Sequence, residues 1–426
     1  MDQGNTTFLL VSAALVLLMT PGLAFFYGGL VKAKSVISMM MMSFGAIGLI
    51  AVLWVVYGYA VAFANPGTAT YLGIDGFFGI DTAYIGLQGL LEVPEGAAYP
   101  PLAFVAFQAM FAILTVALIS GAIADRAKFG AWLIFAGIWA TVVYFPVASW
   151  VFNFSLAEDG SFASGGWLTY GLQNIFGTGV IDFAGGTAVH INAGAAALAL
   201  ALVLGKRVGF AKGAHVPHNP PFVLLGAGLL WFGWFGFNAG SELAADGVAA
   251  LAFVNTLAAP AAALLAWLVV EKIRDGKPTS IGAASGAVAG LVAITPACAS
   301  VTPLLAILLG IIAGAVCAIA IDLKFKFGFD DSLDVVGIHL VGGLVGTLYL
   351  GFFATNSGLV FSGSLSQLTV QAIAAFSVAI FSFVLAYIIG LAIEKTIGFR
   401  IKNEDEIAGI DTIVHGEEGY VLADAK

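Results

Sequence analysis

Two of the five histidines, His190 and His339, lie inside long apolar segments of the sequence. An imidazole in hydrocarbon is costly unless it serves a polar path or has a polar partner. One ring nitrogen can accept a proton while the other donates a hydrogen bond, so two facing imidazoles can share or relay a proton. Hydrogen-bonded packing between helices is the alternative for either histidine alone. The matched pair favours a polar path through a membrane protein.

Each histidine follows an aspartate: Asp182 lies eight residues before His190, and Asp334 lies five residues before His339. We expect each carboxylate to open its helix, where it can cap backbone N–H groups and meet the positive end of the helix dipole. A place for Asp182 in a cation path is the alternative. The unequal offsets predict two halves that are similar in plan but are not copies.

Aromatic residues form the next group. Phe107 and Phe111 are four residues apart and share a helix face. Trp234, Phe237 and Ser241 follow one another along a later segment. Aromatic rings attract a partly dehydrated cation by about 0.5–2 kcal/mol, and a hydroxyl can accept its hydrogen bond. The alternative is that these rings belong to the core or to an interfacial belt.

The composition requires membrane-spanning elements to position these residues. Hydrophobic residues make up 60% of the 426 and charged residues 10%, with a mean hydropathy of +1.01. These values exclude a soluble globular domain and predict an all-α integral membrane protein. Eleven apolar runs are long enough to span, near Phe8–Leu30, Val36–Ala62, Leu102–Ala124, Gly130–Trp150, Phe183–Leu204, Phe222–Gly240, Val248–Val270, Ile281–Ala297, Leu304–Ile321, Val335–Phe353 and Leu368–Ile393.

The two histidines fall in the fifth and the tenth of these segments. Two halves of five segments must insert with opposite orientation, which is the inverted-repeat plan that places equivalent residues near the midplane. We therefore expect eleven transmembrane helices, arranged as a five-plus-five inverted repeat plus a C-terminal helix.

The basic residues predict the orientation, because cytoplasmic loops retain Lys and Arg. All sixteen follow odd-numbered segments: Lys32 and Lys34; Arg126 and Lys128; Lys206, Arg207 and Lys212; Lys272, Arg274 and Lys277; Lys324 and Lys326; and Lys395, Arg400, Lys402 and Lys426. The N-terminus is thus expected outside and the C-terminus inside.

The opposite face has only acidic charges, namely Asp2, Asp75, Asp81, Glu92, Glu95, Glu158, Asp159, Glu242 and Asp246. Either this arrangement gives the outer mouth a field that concentrates cations, or translocated loops simply exclude Lys and Arg.

Other features bear on packing and on the loops. Glycines recur at four-residue spacing in Gly286–Gly290, Gly310–Gly314 and Gly342–Gly346, which suits close helix approach in lipid. Cys298 and Cys317 lack metal-ligand spacing, so we expect them to pack. His215 and His218 are predicted to be solvated loop residues. The long outer loops, roughly 63–101 and 151–182, are expected to cap the outer face.

A family resemblance rests on motifs distributed over nearly the whole chain. The sequence closely resembles ammonium transporters of the Amt/Mep/Rh family, in particular the prokaryotic Amt branch. The matching motifs are Phe26–Lys34, Gly121–Arg126, Asp182–Asn192, Trp234–Ser241, Ala293–Cys298, Asp334–His339 and Gly409–Glu417.

The resemblance implies eleven helices with a pseudo-twofold axis and a homotrimer with one pore per subunit. It further implies the roles of named residues: an outer cation site of Phe107, Trp234 and Ser241; a stacked phenyl gate of Phe111 and Phe237; twin pore histidines His190 and His339; and structural or electrostatic support from Asp182 and Asp334.

One position departs from the family pattern. The family usually has a tryptophan in the outer vestibule shortly after segment four, and the corresponding residue here is Phe152. Trp150 or Trp167 are the alternatives for that role, and the selectivity of the outer site then differs with the residue that fills it.

The predicted function is transport of ammonium or ammonia across the cell membrane by a multi-pass protein that is not an enzyme and needs no cofactor, metal or nucleic acid. The alternative is an ammonium sensor that conducts little and signals through a cytoplasmic partner. We expect a transmembrane domain over 1–397 and a cytoplasmic tail over 398–426. Its charge run alone is typical of a solvated end, whereas the resemblance implies that it packs under the trimer and that inner loops receive a PII-type regulator.

Overall fold

The computed structural model describes residues 1–68, 70–157, 160–212 and 216–420. Four residues named above, Glu158, Asp159, His215 and Lys426, lie outside these ranges.

Long apolar helices make up the fold, as the composition predicts. In the described part of the chain, ten of them are long and apolar enough to cross a membrane, and one apolar helix is shorter, at 15 residues. The short one corresponds to the eighth predicted segment. In chain order they are α1 Gln3–Leu30, α2 Ala33–Ala62, α3 Pro101–Ile123, α4 Phe129–Phe152, α5 Gly186–Leu204, α6 Pro220–Glu242, α7 Gly247–Arg274, α8 Ser280–Ile294, α9 Pro303–Phe327, α10 Val336–Phe353 and α11 Ser366–Thr396.

Side-chain caps and prolines set several of the helix starts. Asp2, Asn219 and Thr279 each accept a hydrogen bond from a backbone N–H in the first turn of α1, α6 and α8. Prolines occupy the first turns of α3, α6 and α9, where a missing N–H costs nothing.

Small residues bring the helices together, as their spacing predicts. Helix α1 packs along α6. Helix α7 packs against both α8 and α9. Gly290 of α8 faces Ala263 of α7, and Gly314 of α9 faces the carbonyl of the same residue. A side chain at Gly314 would collide with that carbonyl, so glycine allows this approach.

Two β-hairpins cover one face of the helices, within the two loops expected to cap it. Strands β1 Tyr71–Ile74 and β2 Phe78–Asp81 pair antiparallel, as do β3 Phe154–Leu156 and β4 Phe162–Gly165. Asp81, which is fully buried, accepts hydrogen bonds from the Thr68 and Thr70 hydroxyls and from the Ala83 N–H. We call this the hairpin face and the opposite one the basic face.

Buried ion pairs join the helix ends on the basic face. Arg207 pairs with Asp125 at 3.0 Å and with Asp330 at 2.9 Å. Burial alone would raise the pKa of Asp330, but hydrogen bonds from Arg207 hold that pKa below its ordinary value. Arg126, also fully buried, donates to the Asp330 carbonyl and to the Ser332 hydroxyl. The loop before α10 is thereby fixed to the end of α3.

The tail after α11 packs on the basic face over its described part. Asp411 caps α2 by accepting hydrogen bonds from the Ile37 and Ser38 N–H groups at 3.0 and 2.7 Å. Lys34 donates to the carbonyl of Ile407. Through residue 420 the tail is therefore held against the helix ends, unlike the solvated end that its charge run suggested.

His218 differs from its predicted solvated state. Its Nδ1 lies 2.8 Å from the Val31 carbonyl oxygen, and its Nε2 lies 2.8 Å from the Tyr420 hydroxyl. Because both ring nitrogens have a partner, His218 connects its loop to α1 and to the tail.

Candidate functional site

His190 and His339 meet in the interior of the helix bundle. Their Nδ1 atoms are 3.2 Å apart, and the rings lie nearly parallel at a centroid separation of 5.3 Å. His190 is fully buried and His339 is 3% exposed. The fold thus brings together the two histidines that the sequence singled out.

Both histidines lie in wide, π-helical turns at the start of their helices. One turn spans Gly186–Ile191 in α5 and the other spans Val336–Leu340 in α10. Such turns are rare and occur often at functional sites.

Asp182 caps the first of these turns, as predicted. Its two carboxylate oxygens accept backbone hydrogen bonds from Gly185, Gly186, Thr187 and Ala188, at 2.5–3.2 Å, and one more from the Thr187 hydroxyl. The side chain therefore fixes the backbone that leads to His190.

Asp334 does not cap the second turn, which corrects the prediction. It has a positive φ of 64° and its carboxylate forms an ion pair with Lys324. The cap is Asp331, whose Oδ2 accepts from the Val336 N–H at 2.7 Å. Asp334 directs its carboxylate to α9 because the left-handed backbone at this residue turns it away from the helix start.

Asp331 is a residue that the sequence reasoning missed. It precedes His339 by eight residues, the offset that separates Asp182 from His190. Equal spacing was therefore the available signal. Burial, assisted by the charge of Asp334, raises the pKa of Asp331 to about 6, and its Oδ1 has no hydrogen-bond partner in the described part of the chain.

Phenyl rings cover the histidine pair toward the hairpin face. The rings of Phe111 and Phe237 are 4.2 Å apart between centroids and are inclined by 30°. Phe237 lies 6.1 Å from the ring of His190, and Phe107 packs edge-on against Phe111 at 4.9 Å. The predicted gate residues are thus in contact directly above the histidines.

The sequence resemblance placed Trp234 in an outer site with Ser241, but the structure places it beside His190. Its indole stacks on the His190 ring at 5.4 Å, and its Nε1 donates to the Thr295 hydroxyl at 2.8 Å. The physical reason is the rise of α6. Seven residues separate Trp234 from Ser241, which corresponds to roughly 10 Å along the helix.

A cavity of about 400 Å³ opens above the phenyl pair, and we call it the vestibule. Its lining includes Phe111, Phe152, Asp182, Ser241 and Glu242. The Ser241 hydroxyl donates to the Phe237 carbonyl at 2.8 Å, which leaves its lone pairs available to a cation. Phe107 is fully buried and supports Phe111 from behind.

Phe152 occupies the vestibule position for which the sequence offered three residues. It lies in the vestibule wall, 6.5 Å from the ring of Phe111. Trp150 is buried against Phe77 and donates its N–H to the Phe77 carbonyl. Trp167 packs on Trp150. Both indoles lie outside the vestibule lining.

A smaller cavity of about 270 Å³ opens on the basic face. Its polar lining residues are Arg207, Thr279, Lys324, Ser332 and Asp334, and the others are apolar. The chain therefore has a cavity on each side of the histidine pair.

Comparison with known proteins identifies the family. Residues 7–420 match the Ammonium Transporter Family. An ammonium transporter of Mycobacterium bovis is 54% identical over 447 residues, covering 100% of this chain and 92% of the relative.

Solved structures give the same result. The crystal structure of Candida albicans Mep2 is 32% identical, with a TM-score of 0.81, covering 95% of this chain and 88% of that one. A structure described as a sensor Amt protein is 28% identical, with a TM-score of 0.85, covering 99% and 98%. The chain belongs to the ammonium transporter family and is a multi-pass membrane transporter rather than an enzyme.

Proposed function

We propose that this protein moves ammonium or ammonia across the cell membrane along a line that runs from the vestibule, between Phe111 and Phe237, past His190 and His339. The observation that carries the proposal is the 3.2 Å contact between the two histidine Nδ1 atoms directly beneath the phenyl pair. Two contacting imidazoles are costly in a membrane interior, and a polar path through the protein accounts for their presence.

Recruitment begins in the vestibule. The acidic hairpin face attracts the cation, and Ser241 accepts a hydrogen bond from it while Phe111 and Phe152 present their rings. Phe107 holds Phe111 in place. Trp234 acts lower down, where its indole fixes the plane of the His190 ring.

Proton loss follows at the phenyl pair. An ammonium ion that passes between rings whose centroids are 4.2 Å apart must shed its hydration water, at a cost of several kcal/mol. Neutral ammonia does not incur that cost. The imidazoles below can accept the hydrogen bonds of ammonia or relay the released proton. Asp182 and Asp331 hold the two turns that carry them.

The architecture we propose is eleven transmembrane helices in a five-plus-five inverted repeat, with the N-terminus outside and the C-terminus inside. Two features support it: the basic residues that follow odd-numbered segments, and the equal Asp182–His190 and Asp331–His339 spacings. Residues 1–397 form the transmembrane domain and 398–426 the cytoplasmic tail. A homotrimer in membrane lipid, with a PII-type regulator on the inner loops, completes the proposal.

The test is ammonium-evoked current in reconstituted liposomes, with potassium as competitor. The wild type should respond to ammonium and reject potassium, because potassium cannot lose a proton. His190→Asp should change both flux and selectivity, whereas His218→Asn, on the basic face, should retain the selectivity of the wild type. Unchanged flux and selectivity after replacing both pore histidines would overturn the proposed pore.

A sensor with little conduction is the second candidate. Its support is the structural similarity to a protein described as a sensor Amt, together with the tail that packs on the basic face. This candidate predicts specific ammonium binding without current. If the protein is a sensor, deletion of the residues after Gly398 should leave ammonium binding intact but abolish an ammonium-dependent response of a cytoplasmic partner. If it is a transporter, the same deletion should alter the ammonium flux.

A further inference from the structure

We propose that a chamber beneath the two β-hairpins is a second cation site, separate from the vestibule, and that it binds alkylated ammonium ions of the size of tetramethylammonium. We call this chamber the hairpin cavity. The inference does not depend on conduction, because binding to the hairpin cavity is measured without transport.

The hairpin cavity has the size and walls of a ligand site. Its volume is about 560 Å³, within the range of small-molecule pockets. It lies where the hairpin-face ends of α2, α3 and α4 meet the turn of β1–β2 and the strands β3 and β4. Ten aromatic side chains, four of them tyrosines, are among the described residues that line it.

The hydroxyl groups of three of these tyrosines add polar atoms to the wall. The Tyr59 ring packs against Tyr84 at 5.8 Å, and the Tyr99 ring is nearly parallel to Phe104 at 6.5 Å. In the described part of the chain, no hydrogen bond is made by the hydroxyls of Tyr59, Tyr84 and Tyr99, although all three residues line the cavity. Phenol oxygens and ring faces together are what an organic cation binds.

The charges select the kind of ligand. The described hairpin face has acidic residues, such as Asp75 and Glu242, and no Lys or Arg, so its field attracts cations. No carboxylate is among the described lining residues of the hairpin cavity. A strongly hydrated ion such as sodium would lose water without gaining a charged ligand. A weakly hydrated alkylated ammonium loses little and gains the rings.

The hairpin cavity adjoins the path proposed for transport without being part of it. Phe104, Phe152 and Leu243 contribute to the walls of both the hairpin cavity and the vestibule. Tetramethylammonium cannot pass between Phe111 and Phe237, whose ring centroids are 4.2 Å apart. An ion held here would therefore stay bound on the hairpin face.

The experiment measures tetramethylammonium binding to the full-length protein in detergent by isothermal titration calorimetry. Tyr84→Leu and Tyr99→Leu each remove one ring that does not line the vestibule, and each should raise the Kd about two- to fivefold. The double variant should raise it about tenfold. Tyr84→Phe retains the ring and should stay within about threefold of the wild type.

Tyr170→Leu is the matched control, because Tyr170 is a half-buried aromatic residue on the same face but outside the lining of the hairpin cavity. It should leave the Kd unchanged. Absence of tetramethylammonium binding to the wild type would overturn the proposal, and so would a double variant with the wild-type Kd. A wild type that binds tetramethylammonium but moves neither ammonium nor ammonia into liposomes would contradict the proposed transport alone.

Discussion

Replacing Asp182 by asparagine should destabilise the protein and stop conduction through one local change. The carboxylate has two oxygens, and each accepts two backbone hydrogen bonds at the start of α5. An asparagine retains one oxygen and directs its NH₂ group at the other two N–H donors. At most two of the four backbone bonds survive, and the negative charge at the helix start is lost.

The magnitude follows from these contacts. Hydrogen bonds to a charged group are worth about 1.5–3 kcal/mol each, so losing two costs roughly 3–6 kcal/mol before any relaxation. Asp246→Asn is the control, since Asp246 caps α7 on the same face by accepting from Val248 and Ala249 in an exposed position. Loss of that cap costs about 1 kcal/mol.

The assay is thermal unfolding of the purified protein in detergent, combined with ammonium-evoked current in liposomes. Asp182→Asn should lower the unfolding midpoint several times more than Asp246→Asn does. It should also abolish the current, because the wide turn it fixes carries His190, whose Nδ1 must lie 3.2 Å from that of His339. Equal midpoints in the two variants, with full current in both, would refute the reasoning.

Two further predictions concern a helix contact and a buried carboxyl. Gly314→Ala would place a methyl group against the Ala263 carbonyl and should cost about 1–3 kcal/mol, whereas Gly228→Ala, with open space around it, should leave the unfolding midpoint unchanged or slightly higher; equal shifts would contradict the close approach. Burial raises the pKa of Asp331 to about 6, so the folded protein binds the proton of this carboxyl more tightly than the unfolded chain does. The resulting contribution to the free energy of unfolding is fully present below about pH 4 and should be lost as the pH rises through 6. Asp331→Asn, measured by unfolding midpoints between pH 4 and 7, should lack that loss of up to about 3 kcal/mol; a slope equal to that of the wild type would contradict it.

The membrane-spanning elements were predictable because lipid allows few solutions. A run of about 20 apolar residues must form a helix to satisfy its backbone hydrogen bonds. The pairing of His190 with His339 followed from their positions in the fifth and tenth segments. The length of α8 did not, because the helix ends at Ile294, two residues before Pro296, whereas the predicted segment extended to Ala297.

The site residues were harder to place from sequence. Trp234 was grouped with Ser241 because the two belong to one motif, but the helical rise puts the indole beside His190. Asp334 was assigned as the cap because it is the carboxylate closest to the histidine, although Asp331 makes that bond. A motif specifies neighbours in sequence, whereas these roles depend on direction and depth.

The hairpins had a sequence signal that was not used. Asp75 and Gly76 form a dipeptide typical of hairpin turns, and Gly76 has a φ of +70°, which glycine adopts at no steric cost. The hairpin cavity beneath depends on how the strands fold back over α2 and α4. Such long-range packing of aromatic side chains leaves no local pattern.

The contact between the two histidine Nδ1 atoms limits the tautomers of the pair. A neutral imidazole carries one N–H, so a hydrogen bond between these atoms needs one ring protonated at Nδ1 and the other at Nε2. When both rings are neutral, they are therefore different tautomers, and the hydrogen bond between them has a direction from donor to acceptor. Reversing that direction requires a change of tautomer in both rings, so the two histidines change state together, between two arrangements of their protons.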